Sequence, residues 1–181
     1  MKITLHIAVC IFLSFLHVSC YQNRHCTNCD VKIISGKIIK IVDGDTYDLL
    51  TQEKVTYRIR MNGIDAPERG MSFYKVSKNF LGKLIFNKQV KIEQLDKDSY
   101  GRLICNTLLD DTISVEYEMV RNGLAWHFKK YSDDTILANA ETSARSLKIG
   151  LWSEGNPIPP WEKRKLRRMG YSKDDISSSV K

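Results

Sequence analysis

Residues 31–42 read VKIISGKIIKIV, and no other stretch restricts the fold of this chain as much. Their β-branched side chains favour an extended backbone. Gly36 interrupts the run, where strands often bulge or bend. Asp43-Gly44-Asp45 stops it and Thr46-Tyr47-Asp48-Leu49-Leu50 resumes it, so the two runs read as a hairpin. After a polar turn over 51–54, Val55, Tyr57, Ile59 and Met61 alternate with Thr56, Arg58 and Arg60. A period of two puts the first set on one face of a strand and the second on the other.

Downstream the period changes. Phe73, Val76, Phe80 and Leu84 recur at helical spacing among Lys75, Lys78, Lys83 and Lys88, so residues 71–88 read as an amphipathic helix with that apolar stripe inward. Two more strands follow, QVKIEQL and Leu103 to Leu109, separated by a polar loop from Asp96 to Gly101. Ser114 can cap a helix to about Asn122, and Gly123 suits a left-handed C-terminal cap. Asp133 or Asp134 can start a last helix with Leu137, Ala140, Ala144 and Leu147 inward and Gly150 ending it. Five short strands with a helix after the third fit a mainly β, α+β architecture, a Greek-key barrel of the OB type with about three helices.

The proportions suit one folded domain, with 43% hydrophobic and 27% charged residues. They exclude a wholly disordered chain. Residues 1–20 carry Lys2 and an apolar run from Ile7 to Leu16, too short for a comfortable bilayer span and of signal-peptide proportions. The expected product is exported: secreted, periplasmic, or a cell-surface lipoprotein attached to the membrane through a lipidated Cys20. Residues 21–30 read as a linker, 31–155 as the folded domain and 156–181 as a Pro-containing basic tail. Cys26 and Cys29 suit a local disulfide in an oxidising compartment, and Cys105 suits the core. The net charge of +7 biases the protein toward polyanions.

Three clusters carry chemistry. Asp43-Gly44-Asp45-Thr46 lies between two strands. Arg60 and Asp65-Ala66-Pro67-Glu68 end the third strand, and Asp98-Ser99-Tyr100-Gly101-Arg102 precedes the fifth. Asp45 and Asp65 are hard oxygen donors for one divalent cation. Arg60 and Arg102 are permanent cations whose planar forks match phosphate oxygens. Glu68 remains to orient or deprotonate water. Taken singly, each cluster also reads as an ordinary turn or loop; their conjunction at strand ends does not.

Over Val31 to Trp152, the motifs I-V-D-G-D-T, R-x-x-x-x-D-A-P-E, D-x-Y-G-R and V-R-N-G-L-A-W resemble the staphylococcal nuclease family. That resemblance implies a calcium-dependent endonuclease acting on DNA and RNA as a monomer with one Ca²⁺ ion, leaving 3′-phosphates. It implies calcium ligation by Asp45, Asp65 and the backbone carbonyl of Ala66, where the familiar family member has threonine. Catalysis would fall to Glu68, with Arg60 and Arg102 on the scissile phosphate. Asp43 and Asp98 would support the site, and Tyr100 and Tyr131 would contact substrate. Ser99 stands where the best-known member has a lysine that binds terminal phosphates. The alternatives are a non-catalytic OB-type nucleic-acid-binding module and a phosphodiesterase acting on small nucleotides. The basic tail can be read as a grip on anionic membrane or as a solvated end.

Overall fold

The computed structural model describes residues 31–172; residues 1–20, expected to direct export, and Cys20, Cys26 and Cys29 lie outside them. In chain order the elements are β1 (Lys32–Ile41), β2 (Thr46–Leu50), β3 (Thr56–Met61), β4 (Ile64–Asp65), α1 (Tyr74–Ile85), β5 (Gln89–Lys97), β6 (Leu103–Leu109) and β7 (Ile113–Ser114). Then come α2 (Val115–Arg121), β8 (Trp126–His127), α3 (Thr135–Ser146), a 3₁₀ turn (Gly150–Glu154) and α4 (Pro160–Arg168).

The main sheet runs β3-β2-β1-β5-β6, and parallel pairing of β3 with β6 closes it into a five-stranded barrel. β7 extends β6 at its far edge. Closure pairs Ile59 with Leu103, Arg60 with Ile104 and Met61 with Cys105. It therefore brings the end of β3 alongside the start of β6, where two of the three polar clusters lie. Strict alternation fills the interior: Ile34 and Ile38, then Ile59 and Met61, then Leu103, Cys105 and Leu109 are buried. Gly36 is a packing glycine, since a Cβ there would come within 2.6 Å of both Leu49 Cδ2 and Leu50 O.

The caps form as the side chains dictate. Ser114 Oγ accepts from the Tyr117 N–H, and Asp134 accepts from Ile136 and Leu137. Gly123 adopts φ 63°, and its missing side chain also lets Ile149 O approach closely.

Three expectations change. The buried face of α1 is Ser77, Leu81 and Ile85; Val76 is exposed, while Phe73 precedes the helix in a left-handed conformation. Phe73, Phe80 and Leu84 still pack partly buried against the core, so the inward face is rotated from the expected stripe and loses Val76. Leu147 caps α3 and is exposed rather than inward; buried Glu141 joins Leu137, Ala140 and Ala144 on the inner face. Finally, the basic segment after Pro159 forms a fourth helix, α4, begun by Pro160 where a missing N–H costs nothing.

Candidate active site

Barrel closure and one short bridge assemble the site. The Asp43-Gly44-Asp45 loop is drawn in by its backbone: Met61 N–H donates to Asp45 O at 2.9 Å. Gly44 is required by proximity, because a Cβ would collide with Ser77 Oγ of α1 and sit 2.7 Å from Ala66 Cβ. Asp65 is held by β4, which pairs Ile64 with His127 and Asp65 with Trp126. The V-R-N-G-L-A-W motif thus supplies the strand that fixes Asp65.

Arg60 joins the two aspartates. Its Nη1 lies 2.6 Å from Asp45 Oδ2 and its Nη2 2.8 Å from Asp65 Oδ1. Nη1 is buried and, despite that proximity, makes no hydrogen bond of acceptable geometry. Asp45 Oδ2 also accepts the Ala66 N–H at 2.6 Å, and Thr46 Oγ1 donates to Asp45 Oδ1 at 3.0 Å. Asp43 sits beside this pair, its Oδ1 accepting the Asp45 N–H at 3.2 Å. Burial, then the charge of Asp45, pushes the Asp43 carboxyl up to about 7. Burial likewise raises the Asp65 carboxyl, with Arg60 and Arg164 opposing and Asp45 reinforcing.

Buried Asp45 and Asp65, with half-buried Asp43 beside them, are oxygen donors that fit a cation. Among the described residues no group of three or more His, Cys, Asp or Glu side chains forms a ligand set. A metal here would rest on the two aspartates plus backbone and water oxygens, donors that hard divalent ions accept.

The third cluster is built by one side chain. Asp98 Oδ1 accepts from the Tyr100 and Arg102 N–H groups, both at 2.9 Å, and Asp98 Oδ2 pairs with Arg102 Nε at 2.7 Å. Desolvation works against the Asp98 charge, but Arg102 and the two N–H donors outweigh it and hold the carboxyl below its ordinary range. Gly101 turns the loop at φ 83°. Arg102 is thereby aimed by Asp98, while Tyr100 is 86% exposed, its ring 5.7 Å from the Arg102 guanidinium. Tyr131, also exposed, packs edge-on against Phe128 at 4.9 Å.

Asp43, Asp45, Arg60, Asp65, Glu68, Asp98, Tyr100, Arg102 and Tyr131 all line one open cleft of about 1350 Å³. Ala66 lies beneath it, buried, with its amide on Asp45. Arg102 stays with Asp98 rather than joining the carboxylate cluster. Reasoning from sequence missed Arg164. From α4 its Nη2 reaches Asp65 Oδ2 at 2.7 Å and its Nη1 reaches Glu68 Oε1 at 2.5 Å. A run of basic residues was the only signal, and it does not say which side chain turns inward.

Residues 58–154 match the family described as "Staphylococcal nuclease homologue". A Haemophilus influenzae protein named "Uncharacterized endonuclease" is 34% identical over 146 residues, 80% of this chain and 82% of that protein. An Escherichia coli protein of the same name is 35% identical over 128 residues, 71% of this chain and 83% of its own length. The "Probable staphylococcal-like nuclease CAN2" of Oryza sativa subsp. japonica is 45% identical over 116 residues, 62% of this chain and 30% of that protein. The barrel, the order of its motifs and these similarities agree: the chain belongs to the staphylococcal nuclease family.

Proposed function

We propose that the protein is a calcium-dependent endonuclease that hydrolyses phosphodiester bonds of DNA and RNA and leaves 3′-phosphate and 5′-hydroxyl ends. The observation that carries this reading is the buried Asp45–Arg60–Asp65 bridge on the floor of a cleft that also holds Glu68 and Arg102. Carboxylates for a hard cation, a carboxylate for water and two guanidinium forks for phosphate are the parts that phosphodiester hydrolysis needs.

Asp45, Asp65 and the Ala66 carbonyl would hold calcium, which when bound supplies a Lewis acid and a template for the phosphate. Glu68 accepts a proton from the attacking water as its oxygen bonds to phosphorus. The bond from phosphorus to the 5′-oxygen breaks, and the leaving oxygen takes up a proton from solvent water, to which Glu68 afterwards returns its own. Arg60 and Arg102 meet the charge that builds on the phosphoryl oxygens. Asp98 holds the Arg102 fork in place. Backbone charge and stacking on Tyr100 and Tyr131 supply affinity without base reading. Export directed by residues 1–20, either free or anchored at Cys20, and a monomeric state complete the proposal.

The test is to incubate the protein with single-stranded DNA in calcium, magnesium or EDTA and to determine the product ends. Cleavage in calcium alone, leaving 3′-phosphates, is expected. A protein that binds the strand but cuts it under none of these conditions is a binding module instead.

A further inference from the structure

The carboxylates of the cleft face a third arginine besides Arg60 and Arg102, and it comes from the C-terminal helix. Arg164 places one nitrogen on Asp65 and another on Glu68, while Arg167 Nη1 approaches Glu68 Oε2 at 3.7 Å. Arg164, Lys165 and Arg168 line the same cleft as Arg60 and Arg102.

An ion pair of this kind can serve merely to pin a helix. Here the pinning is done elsewhere. The Trp161 ring stacks on Phe128 at 4.7 Å and 6°, and stands edge-on to Trp126 at 6.4 Å. Trp126 is fully enclosed, and Pro160 is buried beside this aromatic cluster's end of the helix. Those contacts pack α4 against the barrel without involving Arg164. Nor does Arg164 choose a rim carboxylate. It reaches Asp65, whose side chain is 2% exposed and already paired with Arg60 through its other oxygen. Its own side chain remains 36% exposed. A guanidinium has five N–H donors, and two of Arg164's are used. Arg164 itself lines the cleft, whose volume of about 1350 Å³ has room for a phosphate.

We propose that Arg164 is a substrate-binding residue of the nuclease site, contacting the phosphate backbone of a strand in the cleft, with Lys165 and Arg168 extending the grip along that strand. The assignment rests on the nuclease reading above and makes α4 one wall of the substrate groove. An arriving phosphodiester offers two non-bridging oxygens to a fork that now holds one oxygen of Asp65 and one of Glu68. Exchange of partners frees Glu68 Oε1, one of the two oxygens of the carboxylate proposed to accept a proton.

The experiment uses the full chain and a fluorescein-labelled oligothymidylate, with binding measured by anisotropy in EDTA across a salt series and cleavage measured in calcium. Arg164→Gln is expected to weaken binding roughly tenfold. It should also flatten the slope of log affinity against log salt by about 0.7, the release expected from one lost contact to a single strand. KM should rise, and Arg164→Lys should recover most of the binding. Wild-type affinity and slope in Arg164→Gln, or faster cleavage than wild type, overturns the proposal; the second result would make Arg164 a latch. If Arg164→Gln does not fold, the decision passes to Arg168→Gln, at an exposed position. Weaker binding with a flatter slope there supports the proposal, and unchanged binding overturns it. Because affinity is read in EDTA, a chain that binds through Arg164 yet never cuts would refute the nuclease reading and leave this assignment standing.

Discussion

Gly44 and Ser77 touch so closely that no side chain fits between them: a Cβ on Gly44 would collide with Ser77 Oγ. Helix α1 therefore presses the Asp43–Asp45 loop into the cleft from behind. Gly44→Ala should cost about 1–3 kcal/mol, the usual penalty for overpacking, and should lower activity further by displacing Asp45. Removing the collision with Ser77→Gly in the same chain should restore part of both. Urea unfolding and cleavage rates of the single and double variants form the cycle; strictly additive losses would show that the contact does not matter.

Asp98 should act only through Arg102. Asn at this position places an amide donor where Arg102 Nε now finds an acceptor, and a roughly tenfold fall in kcat/KM is expected, about 1.4 kcal/mol. Arg102→Gln should lose ~10²–10³ in kcat. The double variant should be no worse than Arg102→Gln alone. A further loss in the double variant would give Asp98 a role of its own.

The buried Glu116 sets a pH dependence of stability remote from the cleft. Its Oε1 accepts the Thr107 N–H at 2.9 Å and its Oε2 the Ser114 hydroxyl at 3.2 Å. Burial pushes its carboxyl up to about 7, and the hydrogen bonds offset this only in part. Between its ordinary 4.5 and about 7 the folded state keeps a proton that the unfolded chain has released. Stability contributed by this group is thus complete at the acid end and falls as pH rises. From about pH 4.5 to about pH 8, the unfolding free energy of Glu116→Gln should gain roughly 3 kcal/mol on that of the wild type. Parallel curves for the two proteins would contradict the assignment.

Calcium should stabilise the fold by mass action, by about 2.7 kcal/mol at a hundredfold excess over its Kd. Asp45→Asn and Asp65→Asn should each remove most of that rise in Tm, measured by calorimetry with and without EDTA. A rise that survives in both variants would put the ion elsewhere.

Much of this was legible in the sequence because it is local chemistry. The period of two in β3, the Ser114 cap and Gly123 depend on neighbours a few residues away and are found as read from Thr56 onward, with Val55 exposed outside the strand. Of Asp133 and Asp134, it is Asp134 that caps α3. Side-chain types at strand ends named the cleft residues for the same reason. What was hidden depends on distant packing. On α1 the residue set against Gly44 is Ser77, a contact 33 positions away in the chain, so Ser77 is buried while Val76 is exposed. The two-residue bridge that fixes Asp65 against Trp126 is too short to leave a periodic trace. Arg164 meets Asp65 across 99 positions, from a helix seated by the packing of Trp161 on Phe128 and Trp126.

The most direct test of the central claim is the rate of single-stranded DNA cleavage in calcium by Glu68→Gln beside the wild type, with folding of both verified by circular dichroism. Rapid cleavage by the wild type and a loss of ~10²–10⁴ in kcat for the variant are expected, the range for removing a general base. Equal rates in the two proteins would contradict the central claim, because the proton would then be taken by some group other than Glu68.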